Sequence, residues 1–343
     1  MKNNRIWLAP ALAALLLATS CDTTTKKTAE TTTETAPADE VKLPGAPSFN
    51  ADSAYAYTAT QVAFGPRVPN TKAHVSTGDW VSGKFKSFGL SVQEQPFEAM
   101  AFDGKMLRSR NIIARFAPTA ARRIAIFTHW DTRPFGDKDP QHKNAPIDGA
   151  CDGASGVGIA LEMARLLAAQ PDSLQPAVGV DFILFDSEDY GYDSSTQGDL
   201  KNQLAAQGKE SWCLGSQYWA EHMLPANYKP SYGILLDMVG AKGGRFSREG
   251  QSRESARDIV DKVWNTASQI GYSDYFIFQD SPGIDDDHVY TNRAGVRTID
   301  IIDFSPAGEF PAYHHTTQDN MSVIDKRTLK AVGQTVLQTI YGE

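Results

Sequence analysis

The chain has 343 residues, 41% of them hydrophobic and 22% charged, with a formal net charge of −8 at pH 7. That length supports a sizeable core, and the acidic balance, without any basic cluster interleaved with aromatic residues, argues against a nucleic-acid partner. Beyond the first twenty or so residues no apolar run approaches the ~20 that a membrane span needs.

At the amino terminus Lys2 and Arg5 head an apolar stretch over 6–17, and Ala18-Thr19-Ser20-Cys21 follows. The stretch is too short to span a bilayer, and small residues before a cysteine approximate a lipoprotein signal-peptidase site. The expectation is a lipoprotein signal peptide over 1–20 and a mature chain anchored to the membrane through a lipidated Cys21. The protein is then an exported cell-envelope lipoprotein, periplasmic or outer-membrane associated; the alternative is a plain signal cut near Ser20. Residues 21–45, rich in Thr, Ala and Glu and lacking aromatics, read as a flexible tether. Residues 46–343 show no second shift in composition and read as one large domain. With Cys21 lipidated, Cys151 and Cys213 remain either to pair in an oxidising compartment or to stay as two buried thiols.

Taken in chain order, the domain predicts helices over 54–64 and 77–88, then a strand pair over 90–97 and 108–116 with Asp103-Gly104 in the turn region. Apolar, β-branched strands follow at 123–128, 180–185, 232–236 and 297–302. Between the first two of these, Gly153-Ala154-Ser155-Gly156 opens a periodic helix over 157–169. Further helices are predicted over 216–222, 255–270 and 326–341. The alternation implies an α/β fold: a single-domain three-layer sandwich whose mixed, mostly parallel central sheet is covered by helices on both faces. Function is then expected beyond the carboxyl ends of the central strands. His129, Asp131, Asp186, Glu188, Asp189, Asp237 and Asp303 all lie at or just past such ends.

Carboxylates and imidazoles at several strand ends can converge on one cation. With Asp, Glu and His available and no thiolate cluster, zinc suits the donors better than magnesium or calcium, which prefer more oxygens. Singly, a strand-end Asp is as well explained as a helix cap and a lone His as a satisfied core group. The adjacent Glu188 and Asp189 are harder to dismiss, because neighbouring carboxylates at a buried strand end repel unless a cation or proton intervenes.

The segments THWDTRP, CDGASGVG, FDSEDYG, GSQYWA, LLDMVGA, DDDHVYTNRAGV and HHTTQDN occur in this order. Each is short, but the ordered set resembles the zinc aminopeptidase clan and, more closely, its glutaminyl cyclase branch, from Gly65-Pro66-Arg67-Val68-Pro69 to the last helix. The resemblance implies a zinc aminopeptidase-like fold in which Asp152, Asp189 and His315 bind one zinc and Glu188 is the general acid/base. Asp237 and Asp286 resemble the acids that hydrogen-bond around that glutamate and the substrate amine, in a network that shares a proton. His129 resembles the first-metal histidine of the aminopeptidases, and Asp131 the acid that supports it, although solvation would also explain Asp131.

The implied activity is that of a glutaminyl-peptide cyclotransferase, an acyltransferase that converts N-terminal glutamine of peptides and proteins to pyroglutamate with release of ammonia. Its partners would be such substrates, and its catalytic domain a monomer. The alternative is an exported two-zinc aminopeptidase, with His129, Asp152 and Asp237 on one metal and Asp152, Asp189 and His315 on the other. A non-catalytic binding module is a third reading, against which the intact Glu188 stands. Two positions depart from the animal cyclases: Asp189 where they have Glu, and His314 where they have Trp. The aromatic wall is therefore open among Trp130, Phe135, Trp212 and Phe310, and Asp287-His288 could be no more than a solvated loop with capping character.

Overall fold

The computed structural model describes residues 45–192, 202 and 210–343. The expected signal peptide, Cys21 and the tether up to residue 44 lie outside the described residues. What is described belongs to the unit Leu43–Glu343.

Strands form where apolar runs can be buried on both faces. β3 (Arg123–His129), β4 (Gly179–Phe185), β5 (Tyr232–Asp237) and β8 (Thr298–Ile302) are buried at every position, the signature of parallel strands covered by helices. β1 (Ser91–Met100) and β2 (Met106–Phe116) pair antiparallel, and β1 alternates between exposed and covered positions as an edge strand does. The sheet order is β1-β2-β4-β3-β5-β8, with the β3–β4, β3–β5 and β5–β8 pairs parallel and β2–β4 antiparallel. The predicted mixed, mostly parallel sheet is therefore present. A small parallel pair, β6 (Phe246–Arg248) with β7 (Phe276–Asp280), was not expected, because a three-residue strand carries no periodic signal.

Helices cover both faces. On one, α1 (Ala51–Ala63), α3 (Ala154–Ala169), α5 (Gly250–Gln269) and α7 (Lys326–Tyr341) close a core that includes Phe182, Ile234, Trp264 and Leu337. On the other, Trp219 of α4 (Leu214–Glu221) packs with Phe127, Phe185 and Leu235, and α6 (Asp287–Arg293) lies beside α4. Side-chain caps move helix starts ahead of the apolar pattern. Thr71 accepts from the His74 amide at the head of α2 (Lys72–Ser87), and Glu249 accepts from the Gln251 and Ser252 amides at the head of α5. Among the described helices none is long and apolar enough to cross a membrane.

Two close approaches seat α3, and with it Asp152, against the sheet. A Cβ at Gly156 would stand 2.2 Å from Thr128 Oγ1 and 2.6 Å from the Leu236 carbonyl, and one at Gly158 would stand 2.4 Å from Thr58 Oγ1. Glycine at both positions lets α3 lie on the ends of β3 and β5 and on α1. Cys151 and Cys213 are both free and buried, so of the two possibilities left open they are separate thiols.

Candidate active site

The register of the sheet brings the chemistry together. His129 ends β3 opposite Phe185, so the Asp186-Ser187-Glu188-Asp189 loop leaves β4 at the level of His129, and Asp237 ends β5 beside them. The turns that follow are strained: Ser187 (φ 58°), Met238 (φ 47°) and His315 (φ 56°) are left-handed without being glycine. Asp131 holds the loop by accepting from the Glu188 amide at 3.0 Å and the Asp189 amide at 3.2 Å, and it is fully buried, which rules out surface solvation as its explanation. Asp319 does the same for the next loop, accepting from the amides of Cys151 at 2.8 Å and Asp152 at 3.1 Å.

The three expected metal ligands meet at one nitrogen. His315 Nε2 lies 3.3 Å from Asp189 Oδ1 and 3.8 Å from Asp152 Oδ2. Ligand atoms about 2.0 Å from a tetrahedral zinc stand about 3.3 Å apart, a spacing that the His315–Asp189 pair matches and the His315–Asp152 pair exceeds. Both Asp189 oxygens are buried without a hydrogen-bond partner. Burial and then Asp152 push the Asp189 carboxyl well above its usual range, while Arg133 pulls the other way. Burial holds the His315 imidazole well below its usual value, leaving it neutral at pH 7, the form that binds metal. A neutral imidazole facing unpartnered carboxylate oxygens calls for a proton or a cation between them. The shorter Asp189 side chain, a departure noted in the sequence, reaches the imidazole nonetheless.

His314 is an unanticipated member of this group, with a ligand atom within 4.8 Å of ligand atoms of Asp152 and His315. Its Nδ1 faces Lys138 Nζ at 2.7 Å, and burial brings its pKa down to about 3. Trp212 stacks on the His315 ring at 5.6 Å and 8°.

A second set shares Asp152. His129 Nε2 lies 3.0 Å from Asp152 Oδ1 and 3.2 Å from Asp237 Oδ1, and its Nδ1 lies 3.5 Å from Asp131 Oδ1. Burial opposes protonation of His129, but Asp131, Asp152 and Asp237 together raise it well above its usual value. These carboxylates thus have a proton donor in His129, which Asp189 lacks.

Beside the candidate metal ligands lies a pocket of acids. Burial pushes Glu188 well above its ordinary value, and Asp189, Asp286 and Asp287 add to this while His129 opposes it. Burial, with Asp152, lifts Asp237 to about 7, and burial lifts Asp286 as well. Oxygens of Glu188 and Asp286 lie within 4.8 Å of each other and of the Cys213 sulfur. Asp287 and His288 are fully buried, Asp286 caps α6, and His288 Nε2 lies 3.2 Å from Glu249 Oε2. The solvated-loop explanation of Asp287-His288 therefore fails.

Glu188, Asp237 and Asp286, with Asp152 and His315, line a cavity of about 490 Å³ that Trp212, Phe310 and His314 wall on its aromatic side. Of the four aromatic candidates, Trp212 and Phe310 line it. Trp130 is buried and stacks on His74 at 4.4 Å, and Phe135 packs edge-on against Phe102 at 5.8 Å. Among the strand-end acids, Asp186 pairs with His74 at 2.9 Å and Asp303 accepts from Tyr313 at 3.3 Å, both as structural contacts. Sequence reasoning missed Arg133, Asp319 and Cys213. The first two stand inside the quoted segments THWDTRP and HHTTQDN, where nothing in the string marks a supporting role.

A sequence model of peptidase family M28 matches residues 111–340. The chain belongs to peptidase family M28. Among solved members, the fold is similar to the glutaminyl cyclase of Bacteroides thetaiotaomicron, at 49% identity over 87% of this chain and 100% of that one, TM-score 0.81. It is similarly close to a structure described as a leucine aminopeptidase precursor from the same species, at 48% identity over 88% and 100% of the two chains, TM-score 0.81. The glutaminyl-peptide cyclotransferase of Bos taurus is 26% identical over 64% of this chain and 62% of its own length. The chain spans less than two thirds of the length of the first curated relatives it matches.

Proposed function

We propose that this M28 chain is a zinc-dependent glutaminyl-peptide cyclotransferase acting on peptides and proteins with N-terminal glutamine. The observation that carries the reading is the buried Glu188 carboxyl, raised in pKa and set between the Asp189 metal ligand and the acids Asp237 and Asp286. Asp152, Asp189 and His315 would hold one zinc, which when bound supplies a Lewis acid for the γ-carboxamide of the substrate. The α-amine of the same glutamine is already tethered to the carbon it attacks, so the pocket chiefly has to fix a ring-closing conformer. Trp212 and Phe310 wall the space in which that conformer sits. Glu188 Oε2 takes the proton the amine loses as the new C–N bond forms. The same oxygen returns it to the departing nitrogen, which leaves as ammonia, and no water is consumed. A carboxylate with an ordinary pKa would be too weak a base to take that proton from the amine; burial and like-charged neighbours strengthen it.

A second reading has one specific support, the His129, Asp152 and Asp237 set, which a two-zinc aminopeptidase would use. A single protonated Nε2 of His129, shared between Asp152 and Asp237, would meet those carboxylates without a second ion, which favours one zinc. Assays separate the two. Purified protein given a Gln-peptide and a Leu-peptide is expected to release ammonia from the first and no free leucine from the second; the opposite pattern overturns the cyclase reading. The stretch ending at Ser20-Cys21 supports an exported lipoprotein whose catalytic domain is tethered by residues 21–45. Radiolabelled palmitate appearing on the wild type and not on Cys21→Ala tests the anchor.

A further inference from the structure

Cys213 stands at the entry to α4, 1% exposed, in a left-handed conformation with φ 58° and ψ 35°. A cysteine has no intrinsic reason to adopt that backbone, which persists only where the surroundings enforce it. Here the enforcing bonds lead to the acid/base residue. The Cys213 amide donates to the Glu188 carbonyl at 2.9 Å, the next amide donates to the Ser187 carbonyl at 3.1 Å, and Cys213 Sγ donates to Glu188 Oε1 at 3.3 Å. The apolar neighbours of the side chain, Val289 and Tyr290, would accept any residue of similar volume. An independent observation lies across the pocket: Asp286 Oδ2 is buried with no partner but the neighbouring Asp300 carboxyl, and an oxygen of Asp286, an oxygen of Glu188 and the Cys213 sulfur lie within 4.8 Å of one another.

We infer that Cys213 is a positioning residue for Glu188: its S–H engages Oε1 and so leaves Oε2, together with Asp286 Oδ2, to accept the two N–H bonds of the incoming α-amine. A thiol is suited to this because it is a weak donor, able to fix the carboxyl without competing with the substrate for it. The inference rests on Glu188 being the proton carrier of the proposed reaction.

The test compares Cys213→Ala, Cys213→Val and Cys213→Ser in the full chain, each checked for zinc content and Tm. Alanine and valine, which cannot donate, are expected to lower kcat on a Gln-peptide by about tenfold or more with KM nearly unchanged. Serine, which can donate, is expected to stay within about threefold of wild type. Valine keeps the volume but, being β-branched, is strained at a left-handed position, so a loss shared by alanine and valine at unchanged Tm is neither a packing nor a backbone defect. Wild-type kcat in the valine variant, or a serine variant as impaired as alanine, overturns the inference. Should the wild type release leucine instead of ammonia, the cyclase reading falls, while the same three variants assayed on the Leu-peptide still decide the role of Cys213, since Glu188 would carry the proton there too. A readout without turnover is the infrared S–H stretch lost in Cys213→Ser, expected to move to higher frequency in Glu188→Ala and contradictory to the inference if it stays in place.

Discussion

The two halves of the cavity floor are both crowded with buried acids, yet they resolve the crowding differently. On the metal half, Asp189 presents two oxygens without a donor to an imidazole that burial keeps neutral. On the acid half, Glu188, Asp237 and Asp286 are each raised in pKa, and His129 and Cys213 supply donors to Asp237 and Glu188. Asp189 is raised in pKa too, but the neutral imidazole it faces makes that half the one suited to a cation, while the second half is suited to hold protons. In the proposed ring closure a cation would polarise the carbonyl and a carboxyl would ferry the proton, and one loop after β4 would supply a ligand for the first and the carrier of the second as adjacent residues.

Breaking the cation half carries the largest effect. Asp189→Ala removes the orphaned acceptors, and it is expected to lose zinc and to lower ammonia release from a Gln-peptide by more than about a thousandfold. Chelation of the wild type should match it and reverse on adding zinc. Breaking the proton half leaves the metal in place: Glu188→Gln is expected to cost about 10² to 10⁴ in kcat with zinc content unchanged. Loss of zinc in that variant would show that the halves are not separable. Asp131→Asn disturbs both at once, because its two oxygens serve the amides of Glu188 and Asp189 and an amide has only one acceptor. About ten- to hundredfold in zinc affinity or activity is expected, measured by competition with a chelator and by kinetics.

The smallest effect on activity is expected behind the acid half. Burial pushes Glu249 up, but His288 and Ser252 overcome it and hold the carboxyl at about 2. Its folded pKa is thus below the value of about 4.3 expected in an unfolded chain. The stabilisation is fully present above pH ~4.3 and is lost as pH falls through about 2. Glu249→Gln should therefore unfold more easily than wild type near pH 7 and converge with it between about pH 4 and pH 2. A stability gap that widens on acidification would reverse the sign of this assignment.

Much of this was legible in the sequence because two kinds of signal are local. Continuous apolar runs disclosed β3, β4, β5 and β8, and the polar residue ending each run marked the functional edge. Asp152, Glu188, Asp237, Asp286 and His315, named from ordered short segments, line one cavity, and Asp189 reaches it through His315 at 3.3 Å. What escaped depends on residues distant in the chain. Asp319 supports Asp152 across 167 positions, and Cys213 reaches Glu188 only because the chain returns from the segment between them in a left-handed turn. Asp287 and His288 look like solvent-exposed residues in a run of acids, yet α6 turns them inward onto Glu249 and Ser216. Composition cannot reveal which side of a short helix faces the core.

Zinc counted per chain in three purified proteins tests the division of labour most directly. The wild type is expected to hold one ion, Asp237→Asn to keep it, and Asp189→Ala to lose it. Two ions in the wild type, with one lost in Asp237→Asn, would make His129, Asp152 and Asp237 a second metal centre and contradict the account.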